Sequence, residues 1–482
     1  MMSINQSVFP QTTNEKPTLI TVTEDDFQVD GKGKKAKNFK LTFTHPDGSQ
    51  DEKGYFAKKG DMFNVVVENK TTVPITIHWH GLIVPSSQDG VPFVSQLLIQ
   101  PGKSKHFYYR LLQSGTYWMH SHQKFQEQMQ LSAPLILYDE QDSYQNSQEV
   151  IMFLEDFSYT PPEKIFTALK NQKMDMSKPK SSGDINDVNY DAFLTNKKTF
   201  AAPDVITVNA SNPVRLRIIN ASSSTNFRID TGLLNAKLIA VDGQPVQPME
   251  GKEFPIGTAN RLDLIVQLPP QGGSFPIKAL AEGTKMQTGL ILTTDKAKVP
   301  KLSSATQTPM GRVAYYELEK KLKSQEGLPK KKIDKKIHFV LNGTMSGYVW
   351  TMNGEAWPNV NPSVVNFGDR VEITYENKTG MSHPMHFHGH LFQVTEINGQ
   401  PIKDGAVRDT VLVQPNTTVK VQFDALNPGV WVTHCHNLYH MNAGMLTTIQ
   451  YQHYPKPDFY LNYIGKGQAK KTFPRITIKT SR

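Results

Sequence analysis

Apolar and polar residues alternate in short runs along the whole chain. Phe63–Val67, Val73–Ile77, Val214–Ile219, Val371–Tyr375 and Val419–Phe423 are rich in Val, Ile, Thr, Phe and Tyr, and turn residues separate them. A period of two puts alternate side chains on one face of a pleated strand, so these runs predict half-buried strands. Helical periodicity is scarce, and Glu163–Asn171 is the one short helix it predicts. Many short strands with Gly, Pro and Asn between them predict sandwiches or barrels.

The pattern also repeats. GDMFNVVVENKTTVPITIHWHG, from Gly60, aligns without gaps on GDRVEITYENKTGMSHPMHFHG, from Gly368, at an offset of 308. SGTYWMHSH, ending at His122, aligns on PGVWVTHCH, ending at His436, at an offset of 314. The first and last thirds are therefore one duplicated unit. A fainter copy, NPVRLRIINASSSTNFRID, starts at Asn212; its Asn220 matches Asn69 and Asn377, and Ile229 and Thr231 stand where the other copies place histidines. The middle unit is expected to be metal-free and to act as a spacer. The boundaries expected are 1–145, 146–300 and 337–482, with the Lys- and Pro-rich stretch 301–336 as a linker.

At 482 residues the chain has room for three domains of about 150 residues. Its 38% hydrophobic and 20% charged residues suit a globular protein, and no stretch approaches the roughly 18 apolar residues of a membrane span. The net charge of +9 comes partly from the runs Lys32–Lys37, Lys330–Lys336 and Lys470-Lys471. Without interleaved aromatics these read as solvated surface, and no nucleic-acid partner is expected. The start, MMSINQSVFPQ, has neither a basic nor an apolar leader region, which fits a cytoplasmic chain or one numbered without its leader. Cys435 is the only cysteine, so no intrachain disulfide can form.

Composition does not prepare for the histidines. Eleven of the fifteen fall in four clusters: His78 and His80; His120 and His122; His383, His386, His388 and His390; His434, His436 and His440. A lone histidine is ordinarily a satisfied or exposed imidazole. Four His-x-His pairs, two per repeat copy, are a different matter, because residues two apart on a strand share a face. If the copies pack face to face, eight imidazoles converge, too many for one ion and suited to a cluster of three. His383, Cys435 and His440 remain. Two imidazoles and a thiolate, with Met445 ten residues beyond the cysteine as a long axial ligand, form the blue-copper electron-transfer pattern. Cys435 lies between His434 and His436, so a short covalent path joins the two sets. Carried back through the offsets, His383 becomes Ile75, Cys435 Ser121, His440 Gln126 and Met445 Leu131. The first copy has lost this site and kept its half of the cluster.

The motifs HWHG, YWMHSH, HPMHFHGH and HCHNLYHMNAGM resemble the four copper-binding signatures of the multicopper oxidases, especially the bacterial laccase-like members, over essentially the whole chain. The resemblance implies an all-β fold of three cupredoxin-like Greek-key β-sandwich or barrel domains. It implies four coppers: a blue copper on His383, Cys435, His440 and Met445; one cluster copper on His78 and His386; a pair on His80, His120 and His436 and on His122, His388 and His434. His390 is in the motif but is not a family ligand. Asp89, in DGVPFVSQ, would assist proton delivery to O2, while Cys435 carries the electrons. The loop Asn437, Leu438, Tyr439, His440, Met441 lacks the acid that relatives carry near the last motif, which leaves the second proton route unassigned.

The expected activity is one-electron oxidation of phenols, aromatic amines, Cu(I) or Fe(II), coupled to four-electron reduction of O2 by a monomer. A periplasmic or secreted location is expected if a leader was removed, and a cytoplasmic one otherwise. A non-enzymatic copper carrier is the rival reading, and a copper nitrite reductase would not need eight cluster histidines. Met381, Met385 and Met441 crowd the blue-site motifs beside Met445, while Met174 and Met176 are a meagre counterpart of a methionine-rich insert. Thioethers favour Cu(I), although packing explains methionines equally well.

Overall fold

A computed structural model describes residues 16–171, 185–295 and 297–464. The N-terminal MMSINQSVFPQ, Met174, Met176 and Lys470-Lys471 lie outside them. Among the described residues strands far outnumber helices, and they form three pairs of sheets. In the first pair, Met62–Asn69 lies between Thr18–Gln28 and Ser104–Arg110, and the facing sheet runs Tyr55–Lys58, Ser132–Tyr138, Gly115–His120, His78–His80. The last pair repeats this plan. Arg370–Asn377 lies between Lys335–Thr344 and Thr418–Asp424, facing a sheet that holds Leu446–Tyr451, Val430–Cys435, His383–Phe387 and Thr410–Val413. Alternation along Met62–Asn69 aims Phe63, Val65 and Val67 inward, and Phe63 meets Trp79 of the facing sheet at 4.7 Å between ring centres. Phe387 and Phe423 bridge the last pair in the same way, at 4.9 Å.

The repeat is visible in the register. In each copy the opening strand pairs in parallel with the strand that ends in the shared asparagine: Val22 opposite Asn69, Leu154 opposite Asn220, Leu341 opposite Asn377. All three asparagines are buried. The Asn69 amide donates to the carbonyls of Val73 and Ile99 and accepts from the Thr71 N–H; Asn377 does the same with Met381, Val413 and Thr379; Asn220 spans Thr225 and Ser222. A buried amide satisfied on both sides closes the turn that follows the strand. In the outer copies that turn leads into the first histidine motif.

The predicted helix is present as Pro162–Asn171, with proline at its first position, where no amide hydrogen is needed. The stretch expected as a linker is well anchored. It contains a short helix, Tyr315–Glu319, and forms bridges from Ala305 to Met286, Met310 to Glu282 and Ser324 to Val246. The outer units dock directly on each other: Val91 and Val94 pack with Val430, Val432 and Leu446, and the Asn427 amide donates to the Val84 carbonyl at 2.9 Å. No helix among the described residues is long and apolar enough to cross a membrane.

Candidate metal centre

Docking of the outer units brings the four His-x-His pairs together. In the first unit His78 stands opposite His120 across antiparallel strands; in the last, His386 stands opposite His434, the same register. Rings from the two units then stack: His78 on His388 at 3.9 Å and His80 on His386 at 3.8 Å. His434 Nε2 lies 3.3 Å from His122 Nε2 and 3.0 Å from His388 Nε2. His120 Nε2 and His436 Nε2 are 3.4 Å apart, with the His80 ring 5.0 Å from that of His436. All eight are buried.

Most of these imidazoles are oriented by a partner on the other nitrogen. Asp89 and Asp409 do this reciprocally. The Asp89 carbonyl accepts from His78 Nδ1 at 2.7 Å while its carboxylate meets His388 Nδ1 at 3.0 Å. The Asp409 carbonyl accepts from His386 Nδ1 at 2.8 Å while its carboxylate meets His80 Nε2 at 3.1 Å. Each aspartate thus holds one ring from each copy. Glu127 Oε2 takes His120 Nδ1 at 2.7 Å, and its Oε1 lies 3.9 Å from His436 Nδ1. Burial, then the Asp156 carboxylate, push the Glu127 carboxyl well above its ordinary value. Burial is likewise the largest cause holding His80, His120, His122, His386, His388 and His436 well below the ordinary imidazole value, and neighbouring imidazoles add to it. His434 is lowered to about 4. Neutral imidazoles are what a metal requires.

The residues fit copper. His78 Nε2, His80 Nδ1 and His386 Nε2 are buried nitrogens with no hydrogen-bond partner, and they point into the cluster. A cation at the cluster would satisfy all three at once, each worth about 1–3 kcal/mol if left unpaired. Clusters of donors that converge within 4.8 Å include His122, His388 and His434, and also His78, His386 and His388.

The second site lies one residue away. Cys435 Sγ is 3.5 Å from His383 Nδ1 and 3.7 Å from His440 Nδ1, and these nitrogens are 3.1 Å apart. Met445 is fully buried, and its carbonyl accepts the Cys435 N–H at 3.0 Å. Burial pushes the Cys435 thiol up, so a cation is needed to hold the thiolate. The far nitrogens are also held: His383 Nε2 by Thr379 Oγ1 at 2.7 Å, and His440 Nε2 by Asp187 Oδ2 at 2.8 Å. Trp350 covers His440 at 4.1 Å. His390 stands apart, bonded to the Tyr451 hydroxyl at 2.7 Å and lowered to about 4 by burial.

Sequence reasoning missed Glu127, Asp409, Asp187 and Arg261, which pairs with Asp409. Glu127 is a buried acid of the first unit on His120, at a cluster whose last motif contributes none. Asp409 is hidden because the hairpin Phe392–Ile397 and Gln400–Pro401 intervenes before it, so its offset from Asp89 is 320 rather than 308. The middle unit, expected as a spacer, supplies Asp187 to one centre and Arg261 to the other.

Multicopper oxidase family models match residues 55–142, 148–296 and 331–453. The multicopper oxidase MmcO of Mycobacterium tuberculosis is 32% identical over 417 residues, which span 82% of this chain and 80% of that protein. Copper resistance protein A of Escherichia coli is 25% identical, spanning 82% and 86%. The iron transport multicopper oxidase fio1 of Schizosaccharomyces pombe is 26% identical, spanning 80% and 68%. The solved structure of the laccase from Botrytis aclada superposes with a TM-score of 0.73 at 22% identity, covering 89% of this chain and 86% of that one. The chain belongs to the multicopper oxidases, copper-dependent oxidoreductases with O2 as their acceptor.

Proposed function

We propose that the chain oxidises phenols and the metal ions Cu(I) and Fe(II) one electron at a time. His383, Cys435, His440 and Met445 hold the blue copper. His78 and His386 hold one cluster copper, and the two triplets of His80, His120, His436 and of His122, His388, His434 hold the other two. Copper bound there supplies single-electron transfer at the blue site and four-electron reduction of O2 at the cluster. The chain's own residues do the rest. Cys435 is joined by peptide bonds to His434 and His436, a through-bond path between the two donor sets. Asp89, with its carboxylate on His388, is the acid best placed to move protons at the cluster.

The observation that carries the substrate reading is the Asp187 carboxylate on the outer nitrogen of His440. It also accepts the Tyr348 hydroxyl at 2.6 Å. This covered carboxylate favours positive charge at His440, which suits an electron donor that is a cation or that becomes one on oxidation. Met381 and Met441, partly buried against the core beside this site, add soft ligands for Cu(I). Relatives named for copper resistance, iron transport and laccase activity span the same range. Side-by-side kinetics on a phenol, Cu(I) and Fe(II) test the reading. Met381→Leu with Met441→Leu should weaken Cu(I) oxidation more than phenol oxidation, and Asp187→Asn should weaken both metal ions. Equal loss on all three, or none, leaves a general laccase. A periplasmic or secreted monomer is the setting proposed, which cell fractionation and the sedimentation mass would check.

A further inference from the structure

The two aspartates that orient the cluster differ in what stands behind them. Among the described residues, Asp89 pairs with histidines alone. Asp409 is gripped by Arg261 of the middle unit: Nη1 donates to Oδ1 at 2.8 Å, and Nη2 donates to Oδ2. Arg261 is fully buried. It also donates to the carbonyls of Thr116 and Ala259, at 3.1 and 3.0 Å, and lies over the Tyr117 ring. Behind it the buried charges continue: Asp242 at 3.7 Å, Arg408 on Asp242 at 3.2 Å, and Glu319 on Arg408 at 2.8 Å.

Such a chain could serve only to join units. Two observations tie it to the copper ligand His80. First, His80 is turned opposite to its counterpart His388. His388 bonds its aspartate through Nδ1, whereas His80 bonds Asp409 through Nε2 and leaves Nδ1 as its unpartnered, buried nitrogen. Second, the residue after His80 is kept small for the ion pair. A Cβ on Gly81 would stand 2.5 Å from Asp409 Oδ2 and 2.7 Å from Arg261 Nη2, at a φ of +84°. The equivalent Gly389 makes room for Trp431 instead, so the clearance at Gly81 is not a general demand of the motif.

We propose that Arg261 is a positioning residue for the trinuclear site. Its fork fixes both oxygens of Asp409, Asp409 fixes the hydrogen of His80 on Nε2, and Nδ1 is thereby presented as the donor atom. A planar bidentate guanidinium can impose this orientation, and an ammonium cannot. The proposal rests on the assignment of His80 as a cluster ligand.

The test compares copper content, the blue absorption of the Cys435 thiolate and the paramagnetic resonance of the non-blue copper in full-length Arg261→Gln, Arg261→Lys and His80→Ala. Arg261→Gln should keep the blue absorption, bind cluster copper about 10–100-fold more weakly and show an altered non-blue signal, the effect expected when the partner of a ligand is lost. Arg261→Lys should restore thermal stability but not the non-blue signal. Gly81→Ala, which displaces the same pair, should resemble Arg261→Gln. Full cluster copper with an unchanged signal in Arg261→Gln, or recovery of that signal in Arg261→Lys, overturns the proposal. Should Arg261→Gln not fold, the lysine variant decides by the same signal. Normal copper content in His80→Ala would instead overturn the ligand assignment, which separates the two failures.

Discussion

The first and last units contain the same loop, once with a copper site and once without. In the last unit Cys435 N–H bonds the Met445 carbonyl at 3.0 Å, and Met445 N–H bonds the His440 carbonyl at 3.1 Å. In the first, Ser121 N–H bonds the Leu131 carbonyl at 2.9 Å, and Leu131 N–H bonds the Gln126 carbonyl at 3.0 Å. These two backbone bonds are shared, although the last loop winds into a helix, Leu438–Asn442, where the first forms turns. Where Cys435 meets His440, the Ser121 hydroxyl donates to Gln126 Oε1 at 2.7 Å, and Gln126 donates in turn to the Pro74 carbonyl. Ile75 and Leu131, both fully buried, fill the places of His383 and Met445. The loop is therefore stable without metal. A satisfied hydroxyl–amide pair and two aliphatic chains suffice where no thiolate needs a cation.

Cys435→Ser should have the largest effect, because it makes the last unit resemble the first at its central atom. The blue absorption should vanish, nearly all oxidase activity should go with it, and copper content should fall by one per chain while the fold holds. Metal analysis and visible spectra check this, and a blue, active variant would refute the assignment. Asp89→Asn comes next. It should slow O2 reduction about 100-fold with copper content and colour intact, since an asparagine oxygen can still accept from His388 Nδ1 while the acid beside the cluster is gone. Turnover equal to wild type across pH would count against any role in proton supply.

Acid should separate the two loops by a smaller margin. His383 and the cluster imidazoles His80, His120, His122, His386, His388, His434 and His436 have folded values below the unfolded value of 6.5, so below pH 6.5 the unfolded chain binds more protons. Their contribution is full above about pH 6.5 and is lost as pH falls towards His434's value of about 4. Ser121 and Gln126 carry no ionisable group, and the flanking His120 and His122 are matched by His434 and His436, so His383 against Cys435 is the difference between the loops. In copper-stripped protein, amide exchange at Cys435 and Met445 should therefore accelerate with acid before that at Ser121 and Leu131. Simultaneous loss would show that the loops do not open independently. Ser121→Ala is the mildest change. Leaving the buried Gln126 oxygen without its donor should lower stability by about 1–2 kcal/mol in urea titration, with the blue absorption unmoved.

The parts of the protein that repeat could be read from the sequence. A period of two announced the strands, offsets of 308 and 314 announced the duplicated unit, and His-x-His spacing follows directly from strand geometry. Asp409, Glu127, Asp187 and Arg261 have no such signature. Each acts across a boundary between units, and its position depends on a loop or hairpin that no periodicity records. Aspartate and arginine are also common on any surface, so only burial distinguishes these four. The middle copy misled for the same reason: lacking histidines it reads as inert, yet it reaches both centres through residues outside the repeat.

The buried thiol has a further consequence for how the protein is made. Cys435 lies in the interior with its proton firmly held, and the chain has no second sulfhydryl to pair with it. Oxidants and alkylating reagents attack the thiolate of an accessible cysteine, and this one offers neither the charge nor the access. Once folded, the polypeptide can wait for its metal in an oxidising compartment as safely as in a reducing one.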